Sequence, residues 1–171
     1  MTNKMSFEEI EELTYHILFN YDMLVPPVDV VKIAEKNNID TYEADLSEYD
    51  EPISGAIRYY KDKKKFEILL NKEDSIEQKR FTLAHELGHY YLHKDILESD
   101  EIHVDTMFKG NSKKFDEKDA DYFAGALLMN KIALSKYYEN AESLSELADI
   151  FGVSKSALLV RLDQTGIIDN E

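Results

Sequence analysis

The sequence predicts an α+β fold, and three patterns carry that expectation. Apolar residues recur at helical spacing near the N-terminus, again over residues 75 to 92, and again over 116 to 129. Two runs of β-branched and aromatic residues, 53 to 60 and 66 to 70, are separated by a short charged stretch. From Ile132 onward the chain reads as helical. Its 171 residues are enough to bury a core as one domain of ordinary size, with or without a small helical appendage.

Residues 7 to 20 place Ile10, Leu13, Ile17 and Leu18 on one helical face, which is a packing pattern. After Pro26-Pro27, Asp29 is positioned to cap a short helix that runs through Ala34 and stops at Asn37-Asn38. Ile39 to Tyr42 read as a strand. Ile53 to Tyr60 and Phe66 to Leu70, joined through Lys61-Asp62-Lys63-Lys64-Lys65, read as an antiparallel hairpin, so a small antiparallel sheet of about three or four strands is expected. Ser75-Ile76-Glu77-Gln78 has the spacing of a capping box and opens a helix predicted to reach about Leu92. Residues 94 to 114 are polar, with a strand expected near Ile102 to Phe108 and a loop at Gly110-Asn111-Ser112. In residues 116 to 129, Ala120, Phe123, Ala124, Leu127 and Leu128 follow the i, i+3, i+4, i+7, i+8 pattern of an amphipathic helix.

Composition narrows the chemistry. Hydrophobic residues at 43% and charged residues at 32% belong to a globular chain, and no apolar run approaches the roughly 18 residues of a membrane-spanning helix. The N-terminus turns acidic at Glu8-Glu9, where a signal peptide needs its apolar stretch, so a cytoplasmic location is expected. There are no cysteines, which leaves histidines and carboxylates as the side chains for any metal site. A net charge of −15 repels phosphate backbones, and nucleic acid is not an expected partner. The one basic stretch, residues 61 to 80, carries seven Lys or Arg against five Asp or Glu and reads first as a solubilising hairpin turn.

Within the helix from Ser75, Phe81-Thr82-Leu83-Ala84-His85-Glu86-Leu87-Gly88-His89 contains H-E-x-x-H. Residues i and i+4 of a helix lie one above the other, so His85 and His89 can share one zinc while Glu86 reaches toward its water as a general base. With five His and 19 Glu in the chain, chance supplies about 0.02 such matches. Leu83, Ala84, Leu87 and Tyr91 anchor the opposite face. Gly88 costs about 1 kcal/mol relative to Ala inside a helix, and close approach of another segment beside the metal would compensate.

A catalytic zinc needs a third protein ligand. His93 lies eight residues beyond His85, roughly 12 Å along the axis, too far to share an ion with it. His103 and His16 read as structural. On the second amphipathic helix the apolar stripe centres near Ala120, with Glu117 about 60° away and Asp119 and Asp121 about 100° away on opposite flanks. Glu117 therefore looks inward and is the preferred third ligand, with Asp119 as its rival. Asp121 is placed to hold a ligand histidine by its other ring nitrogen.

Residues 81 to 92, followed by Glu117-Lys-Asp-Ala-Asp-Tyr-Phe-Ala-Gly-Ala-Leu-Leu-Met129, resemble the ImmA/IrrE-type zinc metallopeptidases. The resemblance spans about Pro26 to Gly166. It implies a zincin-like metallopeptidase domain over residues 1 to 130, with 131 to 171 as a C-terminal helical segment packed on it. It also implies zinc held by His85, His89 and Glu117, and Glu86 as the catalytic base. The implied partner is a protein substrate, a helix-turn-helix repressor of the kind that bacterial and prophage members cleave. Two departures stand out: Asp119 occupies a position usually held by Glu, and Asn130 follows Leu-Leu-Met where Pro is usual. Leu144 to Phe151 and Ser156 to Gln164, joined through Gly152, resemble a helix-turn-helix whose second helix carries only Lys155 and Arg161 as cations. Tyr90, Tyr91 and His103 are candidates for stabilising an oxyanion. The competing readings are a non-catalytic regulator or toxin-antitoxin component with a structural metal site, and a DNA-binding regulator acting through residues 144 to 164.

Overall fold

The computed structural model describes residues 4–47, 53–99 and 117–168. In chain order the elements are α1 (Phe7–Asn20), α2 (Val30–Lys36), β1 (Ile39–Ala44), β2 (Gly55–Tyr60), β3 (Lys65–Asn71), α3 (Ile76–Ser99), α4 (Glu117–Leu128), α5 (Lys131–Tyr138), α6 (Leu144–Phe151) and α7 (Lys155–Gln164). This is the α+β class that the patterning predicts.

Local sequence accounts for most boundaries. Ser6 and Glu9 form a capping box on α1: Ser6 Oγ accepts the Glu9 N–H, and the Glu9 carboxylate accepts the Ser6 N–H. Its inner face is Ile10, Thr14, Ile17 and Leu18. Leu13 is only partly buried, and Thr14 can be buried because its hydroxyl donates to the Glu11 carbonyl. Asp29 caps α2 by accepting the Lys32 N–H, as expected.

The sheet corrects one expectation. β2 and β3 form the predicted antiparallel hairpin, but β1 joins the other edge of β3 in parallel, with Ile39 opposite Phe66, giving the order β1-β3-β2 and a mixed sheet. The hairpin turn reverses the chain, so a β1 that pairs with β3 instead of β2 runs in the same direction as its partner. Phe66, Ile68 and Leu70 alternate inward and give β3 its buried face toward the helices.

α3 starts where Ser75 Oγ accepts the Gln78 N–H. It continues past the predicted end at Leu92 to Ser99, with a break in the backbone at His93 (φ −133°, ψ 21°). Buried Leu97 ties down the added turn, so residues 94 to 99, beyond the predicted helix end, are helical. The strand expected at Ile102 to Phe108, the loop at Gly110-Asn111-Ser112, and His103 lie outside the described residues.

Gly88 explains how α4 packs on α3. A Cβ there would sit 3.2 Å from both Cα and O of Ala120 and 3.2 Å from the Phe123 ring. The missing side chain therefore lets the two helices cross in close contact, which is the compensation its helical cost demands.

The C-terminal helices share one continuous core with the rest, through Leu134, Leu147, Phe151, Leu158 and Leu162. Asn130 caps α5, its Oδ1 accepting the N–H groups of Ile132 and Ala133. Gly152, at φ 63°, ends α6 in the left-handed conformation and opens the turn to α7, completing a helix-turn-helix-like unit. Arg80 of α3 donates to the carbonyls of Gly152 and Val28, pinning that turn to the start of α3. Arg161 of α7 is fully buried: its guanidinium grips the Glu11 carboxylate at 2.6 and 2.9 Å, and its Nε donates to the Met129 carbonyl.

Candidate metal centre

The crossing at Gly88 and Ala120 determines what meets across the α3–α4 seam. His85 and His89 project from successive turns of α3, and Glu117 reaches them from the first turn of α4. His85 Nε2 lies 3.1 Å from His89 Nε2 and 3.1 Å from Glu117 Oε2, while His89 Nε2 lies 3.4 Å from Glu117 Oε2. Among the described residues these three form a group able to hold a metal ion. A tetrahedral ion with bonds of about 2.0–2.1 Å has ligand atoms about 3.3 Å apart, so the triangle already has the right edge length. Two imidazoles and a carboxylate are also the donor set that an open, three-ligand site uses.

The surroundings orient the ligands. His85 Nδ1 lies 2.8 Å from Asp121 Oδ1, one turn along α4 from Glu117. With the Nδ1 proton donated to that carboxylate, Nε2 faces the cluster. Burial opposes a charge on His85, but hydrogen bonds to Asp121 and Glu117 outweigh it and push its pKa up to about 10. Contact with His85 and then His89 holds Glu117 well below the usual carboxylate range. The three groups attract a positive charge, which a proton or a cation can supply.

Glu86 occupies a different environment. It is buried between α3 and β2, at 7% exposure, with the backbone N–H of Ile57 on the side of its carboxylate, where it favours the charged form. Burial pushes its pKa up, against the pull of His89 and His85.

Other sequence candidates fall elsewhere. Glu117 is about half exposed at its side chain, whereas Asp119 is nearly fully buried on the other flank of α4 and lies 3.6 Å from Lys4 Nζ. The helical wheel sets Glu117 closer to the apolar stripe than Asp119, yet Asp119 is the buried carboxylate and Glu117 the half-exposed one, lying against the two imidazoles of α3. His93 sits at the break in α3; its ring centroid is 5.8 Å from that of His89 and it is not one of the converging three. His16 is exposed on α1. The Tyr91 hydroxyl accepts from Asn37 Nδ2 at 2.7 Å, in the seam between α2 and α3, and Tyr90 packs edge-on against Phe66 of the sheet. The part played by β2 was not foreseen. Gly55 was its sequence signal: a Cβ there would overlap Thr82 of α3 and the Leu69 carbonyl, so only glycine lets the strand lie this close to the motif helix.

A small mixed sheet beside a helix with two imidazoles one turn apart, crossed by a second helix with a carboxylate, is the architecture of a metallopeptidase-like domain. The chain belongs to the Peptidase_M78 family, described as the IrrE N-terminal-like domain, whose model matches residues 34–163. Metallopeptidase ImmA of Bacillus subtilis (strain 168) is 27% identical over 111 residues, covering 64% of this chain and 63% of that relative. The chain thus spans less than two thirds of that relative's length. A solved structure described as a Mycobacterium tuberculosis transcriptional regulator matches with a TM-score of 0.61 and 17% identity, over 91% of this chain and 46% of that one, a likeness of fold. No helix among the described residues is long and apolar enough to cross a membrane.

Proposed function

We propose that this chain is a zinc-dependent endopeptidase that hydrolyses a peptide bond in a protein substrate, with a helix-turn-helix repressor as that substrate. The observation that carries the reading is the convergence of His85, His89 and Glu117 beside a buried Glu86. In this reading the first three are the zinc ligands and Glu86 is the catalytic base. Residues 1 to 130 are the metallopeptidase domain, residues 131 to 171 the helical segment packed on it, and the cytoplasm is where such a repressor would be met.

Zinc, when bound, supplies Lewis acidity toward the scissile carbonyl and the attacking water. The remaining work falls to the chain's own groups. Asp121 holds His85 in the tautomer that presents Nε2. Glu86 takes the proton from the attacking water on its carboxylate and returns it to the leaving amine. Its burial suits the proton-accepting half of that role, because a carboxylate whose pKa is raised takes up a proton more readily. A site that only held the fold together would have no use for this group.

The DNA-binding reading finds little support in α7. Arg161, one of its two cations, is turned into the core against Glu11 and is not available to phosphates.

The deciding experiment mixes zinc-loaded wild type and Glu86→Gln separately with a repressor encoded beside this chain and follows the fragments. Cleavage by the wild type, slowed by about 10² to 10⁴ in Glu86→Gln, is the expected result. Equal cleavage by both would indicate a contaminating protease. Tight binding without cleavage by either would move the assignment to a non-catalytic regulator.

A further inference from the structure

β2 connects the buried Glu86 to a basic surface. Asn71 N–H bonds to the Ser54 carbonyl, so by antiparallel alternation Ala56, Arg58 and Tyr60 pair with β3, while the backbone groups of Gly55, Ile57 and Tyr59 point away from it. Ile57 N–H meets Glu86 on that outer edge. Four residues further, about 13 Å at strand rise, β2 ends in the turn of Lys61, Asp62, Lys63 and Lys64, all exposed.

The turn is organised and its charge is concentrated. The Tyr60 ring has the Arg58 guanidinium 4.7 Å from its centroid and the Lys63 ammonium 5.0 Å from it. Arg58 is paired with Glu67 and Lys65 with Asp40. Lys61, Lys63 and Lys64 form no ion pair with a carboxylate among the described residues. With Arg58 and Lys65 neutralised by those partners, Lys61, Lys63 and Lys64 against Asp62 leave a net of +2 at the tip of a chain whose net charge is −15. A local positive site on such a body selects a ligand that carries its negative charge in one short segment. A long polyanion such as nucleic acid would run into the acidic surface on either side.

We infer that the β2–β3 hairpin tip is a docking site for an acidic segment of the protein substrate. Lys61, Lys63 and Lys64 hold that segment while the adjoining residues of the same substrate lie along β2 toward Glu86. This rests on the peptidase reading and adds to it a substrate class: proteins with clustered Asp or Glu about four to seven residues from the scissile bond, the distance an extended chain covers between Ile57 and the tip.

The test separates docking from catalysis. A fluorescein-labelled ten-residue peptide with six Asp or Glu, and its Asn/Gln counterpart, are titrated by fluorescence anisotropy against the full-length chain stripped of metal, where no cleavage intervenes. The acidic peptide is expected to bind about tenfold more tightly and to weaken with added salt. The combined variant Lys61→Gln, Lys63→Gln, Lys64→Asn, with its unfolding transition unchanged, should lose that preference. Equal binding of the two peptides, or a preference that survives the triple substitution, overturns the inference. So does tighter, lysine-dependent binding of a ten-nucleotide oligothymidylate. In parallel, zinc-loaded wild type and the triple variant are incubated with a mixed peptide library and the cut sites read by mass spectrometry. Enrichment of Asp and Glu four to seven residues from the cut, lost in the triple variant, supports the assignment. Cuts without that enrichment overturn it. Absence of any cleavage counts against the peptidase reading, and the anisotropy result then decides the docking site by itself.

Discussion

Gly88 of α3 and Ala120 of α4 meet at the crossing of the two helices that carry the candidate metal ligands, with only 3.2 Å between the place of a Gly88 Cβ and the Ala120 backbone. The position is one residue before His89 on one helix and one residue before Asp121 on the other. The separation of the helix axes here therefore governs whether Glu117 can reach both imidazoles.

Gly88→Val should loosen that geometry. Its side chain would press on α4 backbone, which cannot rotate away as a flexible side chain could. Overpacking of this kind costs about 1–3 kcal/mol. Denaturant unfolding should show a loss in that range, and metal analysis should show a matching loss of zinc retention. A variant with wild-type stability and full zinc content would mean that the close crossing does not constrain the site.

Purified wild type should carry about one zinc per chain, the stoichiometry of a site with three protein ligands. Glu117→Ala should lower retention at least tenfold, whereas Asp119→Ala should leave it within about twofold, because Asp119 faces Lys4 and not the imidazoles. Elemental analysis after dialysis reads both. The reverse ranking would transfer the third-ligand role to Asp119.

Metal uptake should release protons. In the metal-free chain His85 holds its proton up to about pH 10, so at pH 7.5 the incoming cation must displace about one proton from it. The sign follows directly: affinity rises with pH while His85 is still protonated and falls as the solution is acidified. Calorimetric titrations in buffers of different ionisation enthalpy count the protons. A count of zero would mean that His85 is not a ligand.

Arg161→Met should destabilise the fold by about 3 kcal/mol, since it leaves the Glu11 carboxylate facing a buried seam without its partner. Glu11→Gln combined with Arg161→Met should recover part of the loss, and duplex DNA affinity should change in neither. A mild single-variant effect together with a drop in salt-dependent DNA binding would restore the DNA-binding reading of α7.

What the sequence determined by itself is local in origin. The α2 cap at Asp29, the hairpin around Lys61 to Lys65 and the placement of His85 one helical turn from His89 follow from neighbours a few residues apart, whose geometry the helix or strand repeat dictates. The direction of Glu117 toward α3 was legible for the same reason, because a helical wheel reports angle. Depth is another matter. That Asp119 is the buried carboxylate and Glu117 the half-exposed one depends on where α1 and Lys4 lie against α4, which no periodicity encodes. Tertiary contacts likewise decided that β1 joins β3 in parallel, that α3 continues beyond His93 because Leu97 finds a place in the core, and that Arg161 turns inward to Glu11, 150 residues away in the chain. Pairings across such separations are selected by the free energy of the assembled core, and the residues nearby in sequence carry no signal of them.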